Sequence, residues 1–345
     1  MDNIVFFRNF ARMNKIENKS VVVWKTKSYK LLLLGLLGGF APKVEAQEKW
    51  IDGSFYTEAN YGYNFFGKQR NIYDFPHVVL DVSLHLGKGW HLSTEQEFEY
   101  LSENGDWPKH FSQEHSTNWA YVKKEFSPNF GVMAGVLNIP VGLTSSYYGT
   151  GLTVYDPLSE SRVLPMKWHE TAVAVTGEIG YFEYWLGYLG HVNLDMKDNE
   201  SMGWAARINW RPNDAFRLGV AGFVGHGASL SKLTEDGFGI GRACCNYADI
   251  DYNYDKGKWI TSGQVVYQSE NDDVAIGAEV GYRATSWLLP FIRYDWVGFS
   301  DAGDFRVTTM GVNVEPIRNV VFKLQMSQDG GEVRSDVSAT YTLDF

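Results

Sequence analysis

Carboxylates recur at alternate positions in the first third of the chain, which is the spacing that places side chains on one face of a β-strand. The clearest run is Glu95, Glu97 and Glu99, and Glu58 and Asp81 stand in similar alternating stretches. A face of this kind holds water and attracts cations. It offers a charged, hydrated surface, and it does not offer a single nucleophile with its base.

Basic side chains alternate in the same way in the second half of the chain, with three carboxylates among them. The basic set is Arg207, Arg211, Arg217, Arg283, Arg293 and Lys323, and the carboxylates are Asp251, Glu279 and Asp295. The acidic and basic strands could enclose one interior, with Asp336 beside the acidic set. The electric field between an acidic wall and a basic wall suits the diffusion of small polar solutes. The alternative is that many of these charges lie at the two mouths and only keep the interior wet. Arg211 and Arg217 fit that alternative best, because they flank a predicted turn.

The strand pattern that would carry such charges is clearest at the end of the sequence. Phe345, Leu343 and Tyr341 alternate with Asp344 and Thr342, in a stretch long enough to cross a bilayer as a tilted strand. A final aromatic residue with apolar residues two and four positions before it resembles the insertion signal of bacterial outer-membrane barrels. This strand needs partners along the rest of the chain to bury its unpaired edge.

Sixteen strands are predicted from residue 50 onward, and their connections alternate between long and short. Long loops on one side, short turns on the other and aromatic residues at strand ends are typical of outer-membrane barrels. The sequence therefore predicts an all-β fold over residues 47–345, a transmembrane antiparallel β-barrel of about 16 strands with short periplasmic turns and long extracellular loops. The alternative is a soluble β-sandwich array or a propeller, although no blade repeat is visible.

Composition separates this chain from helical membrane proteins. The chain has 345 residues, of which 15% are aromatic, and a mean hydropathy of −0.26. A single apolar run at residues 31–40 follows three lysines and precedes Val44-Glu45-Ala46. The run is too short to span a bilayer, so it predicts a secretory signal over residues 1–46, cleaved after Ala46.

Charge and cysteine usage narrow the function further. Removal of residues 1–46 takes away 8 basic and 3 acidic residues and leaves 23 basic and 38 acidic residues, a net charge of −15. That balance argues against nucleic-acid binding, because the basic footprint is missing. Cys244 and Cys245 are neighbours, and Cα atoms about 3.8 Å apart are closer than those a disulfide usually joins. We interpret this pair as incidental.

The connection at residues 137–170 is the longest predicted loop and the least polar one. A solvated loop rarely carries so many apolar residues, so we expect it to fold inward against the barrel wall. Its charges, Asp156, Glu160, Arg162 and Lys167, would then line a constriction. The alternative is that this loop packs on the extracellular rim or against a neighbouring protomer.

Sequence motifs around this loop are similar to those of one channel family. The segment Ala134-Gly135-Val136-Leu137-Asn138-Ile139-Pro140-Val141-Gly142 is followed by Tyr155-Asp156-Pro157-Leu158, Leu164-Pro165 and Trp168-His169-Glu170-Thr171. These motifs resemble the porin O and P family of phosphate-selective-type porins, whose relatives are common in Bacteroidota. The resemblance implies a sixteen-stranded channel that is often trimeric. It does not carry over phosphate selectivity, because the loop lacks a comparable lysine cluster.

These observations predict a passive diffusion channel of the bacterial outer membrane. It would face outer-membrane lipids, pass small hydrophilic solutes or ions (anions such as phosphate among the candidates) and form a homotrimer as one candidate assembly. No cofactor, metal or catalytic residue is predicted, because the eight histidines lack His-Glu-x-x-His spacing and there is no Gly-x-Ser-x-Gly or phosphate loop. Two alternatives remain: a barrel enzyme of the phospholipase or protease type, and a structural or docking barrel without conductance.

Overall fold

The structure is a computed structural model. It describes residues 50–66, 71–103, 111–146, 151–165, 168–190, 201–227, 246–270, 272–299 and 303–345. The predicted signal at 1–46, the loop residue Lys167 and the Cys244–Cys245 pair lie outside the described residues. Within the described ranges, no helix combines the length and the apolar character needed to cross a membrane.

Sixteen strands form one closed antiparallel sheet in which each strand pairs with its neighbours in sequence and β1 pairs with β16. One short helix, α1 (Leu158–Arg162), lies between β5 and β6. The strands are β1 (Ile51–Phe66), β2 (Asn71–Gly87), β3 (Trp90–Glu103), β4 (Phe111–Ser127), β5 (Phe130–Asn138), β6 (His169–Ile179), β7 (Phe182–Leu189), β8 (Ser201–Asn213), β9 (Phe216–Gly227), β10 (Tyr247–Lys256), β11 (Trp259–Gln268), β12 (Asp273–Tyr282), β13 (Leu288–Phe299), β14 (Gly303–Ile317), β15 (Val320–Asp329) and β16 (Glu332–Asp344). The predicted all-β barrel is confirmed.

Alternation of apolar and polar residues decides which side chains point outward. In β13, Ile292 and Tyr294 are both 46% exposed on the outer surface, whereas Arg293 and Asp295, which alternate with them, are buried inside. Successive side chains of a strand point to opposite faces of the sheet. The same two-residue period therefore supplies an apolar exterior and a polar interior in one strand.

The two ends of the barrel differ in their connections. Six of the seven connections at one end are two-residue turns, and the seventh, at 283–287, is longer. Lys88 and Gly89 in the first of these turns both have positive φ, as tight hairpin turns require. At the opposite end the connections range from two residues after β15 to thirty between β5 and β6. We call the first end the short-turn end.

The predicted polar link at 102–116 is shorter than expected. Strand β3 continues to Glu103 and β4 begins at Phe111. The sequence there lacks an apolar alternation, which is the signal on which strand prediction depends. A strand end that extends beyond the apolar outer surface of a barrel does not need apolar side chains. Backbone pairing between β3 and β4 therefore continues where the alternation of apolar and polar residues has ended.

The largest apolar core lies inside the barrel, toward the end with the long connections. Trp168 is fully buried there, and its ring packs edge-on against Phe223 and Tyr247 at centroid distances of 5.0 and 5.4 Å. Val266 and Val297 complete the wall of this core. The inner face is therefore not polar throughout, and its apolar part lies where the longest connection enters the barrel.

Candidate functional site

Residues 139–168, which we call the lumen loop, connect β5 to β6, and the described parts of this loop, 139–146, 151–165 and 168, lie inside the barrel. Inward-facing side chains of four strands, β10, β11, β13 and β15, accept hydrogen bonds from the backbone of this loop. Leu143 N donates to Gln264 Oε1 of β11 at 2.9 Å, and Val154 N donates to Gln325 Oε1 of β15 at 2.8 Å. The lumen loop therefore crosses the interior beside the wall that β11 to β15 form.

Arg207 on β8 holds the first part of the lumen loop. Its guanidinium donates to the carbonyl oxygens of Pro140 and Gly142 at 3.3 and 3.4 Å. The same group pairs with Asp251 of β10 at 2.6 Å. Burial of this guanidinium is tolerable because a carboxylate and two carbonyl oxygens replace its water.

Arg293 and Lys323 hold the middle of the lumen loop. Arg293 donates to the carbonyl oxygen of Tyr155 at 2.7 Å and pairs with Asp295 at 2.8 Å. Lys323 donates to the carbonyl oxygen of Thr153 at 2.8 Å. Both basic side chains are buried. Each was predicted to line the pore, and in the structure each points inward and binds the loop backbone.

Glu160 lies on α1 and forms hydrogen bonds within the lumen loop. Its carboxylate accepts hydrogen bonds from Thr144 N at 2.7 Å, from the Thr144 hydroxyl and from Ser145 N at 3.2 Å. Burial raises the pKa of the Glu160 carboxyl above its ordinary value, although these hydrogen bonds lower it in part. This predicted constriction residue therefore bonds to the loop itself.

Tyr155 joins the lumen loop to the closing seam of the barrel, a contact that the sequence analysis did not predict. Its hydroxyl donates to Asp336 Oδ1 on β16 at 2.9 Å. The Arg334 guanidinium lies over its ring at 3.8 Å from the centroid and bonds the same carboxylate at 2.6 Å. Only tertiary contact reveals this role, because residues 155 and 336 are far apart in sequence.

The remaining predicted loop charges lie in different surroundings. Asp156 is partly buried, and its carbonyl oxygen accepts a hydrogen bond from Arg293 at 3.2 Å. The Arg162 guanidinium lies over the Phe305 ring of β14 at 5.6 Å. The structure thus places Asp156 and Glu160 against the inner wall or within the loop, and Arg162 against an aromatic ring.

An acidic wall faces the interior from β1, β2 and β3. Glu58, Glu95, Glu97 and Glu99 are all buried there, and Asp81 is partly buried. The Asn118 amide of β4 donates to Glu95 at 2.8 Å and to Glu97 at 2.9 Å. These carboxylates are adjacent in space because β3 carries them two residues apart and β1 and β2 lie beside it.

His77 stands in the middle of this acidic wall. Its Nδ1 lies 2.9 Å from Asp74 and 3.1 Å from Glu58, and its Nε2 lies 3.5 Å from Glu97. The ligand atoms of Glu58, Asp74 and His77 are close enough to hold a metal ion. A proton on each ring nitrogen satisfies the same neighbours, so the geometry needs no metal.

Asp74 and His77 were missed by the sequence prediction because they break the two-residue period. Pairing between β2 and β3 shifts register between these two residues. Such an irregularity turns two side chains that are three positions apart toward the same face. Pro76 between them was the available signal, since proline within a strand marks a bulge or an edge.

The other predicted basic residues separate into two groups. Arg211 pairs with Glu183 at 2.9 Å, and Arg283 pairs with Asp255 at 2.5 Å, both near the short-turn end. Arg217 is instead buried inside the barrel, where its guanidinium bonds Asp251. The sequence analysis found that a location at a mouth of the barrel fits Arg211 and Arg217 best. Arg211 lies at the short-turn mouth, whereas Arg217 lies deeper in the interior.

A cavity of about 1060 Å³ lies at the short-turn end of the barrel. Lys88, Lys124 and Glu125 line it at the turns, and it extends inward as far as Ser146 of the lumen loop and Arg207. The cavity therefore connects the mouth of the barrel at the short-turn end with the lumen loop. The cavity lies on the β4 to β8 side, away from the strands that bind the loop most closely.

Comparison with known proteins identifies the fold. No protein-family model matches the sequence. A protein of Aquifex aeolicus (strain VF5) described as uncharacterized is 28% identical over 150 residues, which cover 43% of this chain and 34% of that protein. The chain therefore spans about a third of the length of this curated relative.

Solved outer-membrane porins share the architecture. The Salmonella typhi OmpF complex with daunomycin aligns with a TM-score of 0.64 and 11% identity over 85% of this chain and 97% of that chain. In-vitro folded OmpT of Vibrio cholerae, in its trimer form, aligns with a TM-score of 0.56 and 10% identity over 85% and 99%. A mutant porin of Rh. blastica aligns with a TM-score of 0.54 and 12% identity over the same shares. The chain has the general porin fold.

Proposed function

We propose that this chain is an outer-membrane porin through which small hydrophilic solutes and ions diffuse passively. The observation that carries the proposal is the lumen loop, which Arg293 and Lys323 bind against the wall formed by β13 and β15, while a cavity that Arg207 lines extends along the β4 to β8 side. A barrel of sixteen strands is wide enough to hold an aqueous channel. A loop attached to one wall narrows such a channel without filling its whole cross-section.

We propose that the channel prefers cations, because buried carboxylates outnumber buried cationic side chains among the described residues. The four buried cations are themselves bound to carboxylates or to the lumen loop. The thirteen carboxylates are Glu58, Asp74, Glu95, Glu97, Glu99, Glu160, Glu170, Asp249, Asp251, Asp273, Glu279, Asp295 and Asp336, and the four cations are Arg207, Arg217, Arg293 and Lys323. An interior of this sign attracts cations and repels phosphate.

Location and assembly are part of the same proposal. The apolar outer surface suits contact with outer-membrane lipids, and the signal predicted at 1–46 would direct export. A homotrimer is the assembly we propose, by analogy with the trimer form of Vibrio cholerae OmpT. The porin O and P family resemblance and its Bacteroidota distribution stay predictions, since the structural likeness extends only to porins in general.

The test is single-channel conductance of refolded residues 47–345 in a planar bilayer with a salt gradient. We expect steady open steps and a reversal potential that shows preference for K⁺ over Cl⁻. The double variant Glu95→Gln/Glu97→Gln should lower that preference, because it removes two charges from the acidic wall. Asp214→Asn removes one charge from the exposed β8–β9 turn and should leave the preference unchanged.

Two outcomes would overturn parts of this proposal. Anion preference in the folded protein would refute the role of the acidic wall. Absence of conductance from folded, heat-modifiable protein would refute the pore and favour a barrel enzyme or a docking barrel. Hydrolysis of phospholipid or peptide substrates by the folded protein would identify the enzyme.

A further inference from the structure

Two histidines face each other across neighbouring strands at the short-turn end, outside the acidic wall. His85 on β2 is directly opposite His91 on β3. Their Nδ1 atoms are 2.9 Å apart, and the ring planes meet at 88°. Two imidazole nitrogens on one face of a hairpin form a preorganised pair of ligand atoms, because the backbone pairing fixes both Cβ positions.

The other nitrogen of each ring faces a carboxylate. His85 Nε2 lies 3.0 Å from Asp52 Oδ2 on β1, and His91 Nε2 lies 3.4 Å from Glu125 Oε2 on β4. An ionised carboxylate only accepts hydrogen bonds, so these two contacts favour the tautomer of each neutral imidazole that has its proton on Nε2. Both Nδ1 atoms, which are 2.9 Å apart, are then acceptors without a proton. A cation that both nitrogens share, either a metal ion or a proton, stabilises such a contact.

We propose that His85 and His91 bind a divalent transition-metal ion through their Nδ1 atoms. At metal–nitrogen distances of about 2.0–2.1 Å, an Nδ1 separation of 2.9 Å corresponds to an angle of about 90° at the metal. A right angle between ligands is the geometry of square-planar or tetragonal Cu²⁺ and Ni²⁺, and Cu²⁺ binds imidazole most tightly among the common divalent ions. Water would fill the remaining positions.

The surroundings of the pair support metal binding. Asp52 occupies the position of the carboxylates that orient metal-bound histidines by accepting the second ring N–H, and Glu125 lies 3.4 Å from Nε2 of His91. Their negative charge also favours a cation nearby, although Lys123 bonds Glu125 at 2.6 Å and offsets part of it. The side chains of His85 and His91 are 33% and 24% exposed, so an ion in solution can reach them.

His77 does not offer an equivalent site, although more carboxylates surround it. Both of its ring nitrogens face carboxylate oxygens, so protonation alone satisfies every contact. Its side chain is also completely buried, which denies access to an ion. The His85–His91 pair differs in both respects. The inference does not depend on the proposed conduction, since a folded barrel that carries no current would still hold the two imidazoles opposite each other.

The experiment is a CuCl₂ titration of refolded residues 47–345, without an affinity tag, followed by electron paramagnetic resonance. The background variant is Cys244→Ser/Cys245→Ser, which removes the two thiols as competing ligands. We expect one Cu²⁺ per chain with two nitrogen ligands in the spectrum. His85→Gln or His91→Gln should weaken binding at least about tenfold, and Asp52→Asn should weaken it about tenfold because the second-shell carboxylate is lost.

Two matched controls locate the site. His77→Gln removes the buried histidine of the acidic wall, and His115→Gln removes an exposed histidine of β4. Both variants should bind Cu²⁺ like the background protein. A folded background protein that binds no Cu²⁺ would overturn the proposal and would show that a shared proton bridges the two rings. Undiminished binding by His85→Gln/His91→Gln would overturn it as well.

Discussion

At the scale of single residues, the interior is organised by the pairing of buried charges. Asp251 lies between Arg207 and Arg217 and bonds both guanidinium groups. A buried charge that loses its partner is strongly destabilising, by about 3–5 kcal/mol in typical cases. Carboxylates and carbonyl oxygens of the lumen loop bind the buried basic residues of the interior. The proposed cation preference therefore depends on the acidic wall.

The first prediction concerns the pH dependence that Glu160 contributes. Burial raises the pKa of this carboxyl in the folded protein, so the folded state favours its protonated form. Stability from this group is fully present below the ordinary carboxyl pKa of about 4.3 and is lost as pH rises through the raised folded value. Glu160→Gln removes that contribution.

The measurement is the free energy of urea unfolding of wild type and Glu160→Gln at acidic and neutral pH, followed by tryptophan fluorescence. Wild type should lose more stability than the variant between the two conditions. Other titrating groups are common to both proteins and cancel in the comparison. Equal pH dependence in the two proteins would contradict the assigned role of burial at Glu160.

At the scale of elements, the lumen loop behaves as part of the barrel core. Its base is closed by a backbone hydrogen bond of 2.8 Å from Ile139 N to the carbonyl oxygen of Trp168. Trp168 itself packs against Phe223 and Tyr247 on the inner wall. Polar anchors along the loop and an apolar anchor at its base therefore act together. The position of the loop, and with it the width of the proposed channel, depends on both.

The second prediction tests the apolar anchor. Trp168→Ala should lower the free energy of unfolding by about 3–5 kcal/mol, because it leaves a cavity where a fully buried indole packs. The lumen loop should also become more susceptible to added protease. Trp287→Ala is the matched control, since Trp287 lies in the β12–β13 turn and is 50% exposed. Equal losses of stability in the two variants would show that Trp168 has no special packing role.

At the scale of the whole molecule, ring closure brings the first and last strands together. Twelve residue pairs join β1 to β16, from Ser54 opposite Asp344 to Phe66 opposite Val333. Gly53 and Phe345 extend the seam by two backbone hydrogen bonds, at 3.0 and 3.1 Å. A closed sheet has no exposed edge strands. The seam also places Asp336 beside the acidic wall, as the alternating charges predicted.

The third prediction tests the register of this seam in the Cys244→Ser/Cys245→Ser background. Thr57 and Tyr341 are directly opposite each other, and such pairs have Cα atoms about 4.5–5.5 Å apart, within disulfide range. Thr57→Cys/Tyr341→Cys should therefore form an intramolecular disulfide on oxidation. Its band on SDS–polyacrylamide gels should shift when the bond is reduced.

The control for the seam is the diagonal pair Thr57→Cys/Leu343→Cys. Leu343 is opposite Phe55, so its Cα lies about 7–8 Å from that of Thr57, too far for an unstrained bridge. This variant should remain reduced. Preferential crosslinking of the diagonal pair would show that β1 and β16 pair in another register.

Local patterns along the chain were sufficient to predict the fold class, the number of strands and the outward face of most of them. Alternation of apolar and polar residues, as from Ile292 to Trp296, is a local property of the sequence. Each strand needs this alternation separately, because each has an apolar exterior and a polar interior. The apolar content of residues 137–170 likewise predicted a loop that avoids solvent. None of these inferences required knowledge of which strands are neighbours across the interior.

Contacts between interior residues could not be predicted from local patterns and became visible in the folded barrel. Lys323 bonds the carbonyl oxygen of Thr153, and Tyr155 bonds Asp336, across more than 160 positions of sequence. Asp74 joins His77 on one face through a register shift that the two-residue period does not encode. These contacts depend on the curvature and closure of the whole sheet, because closure sets the distance between opposite walls. Alternation assigns a side chain to the interior, and closure of the ring selects its partner there.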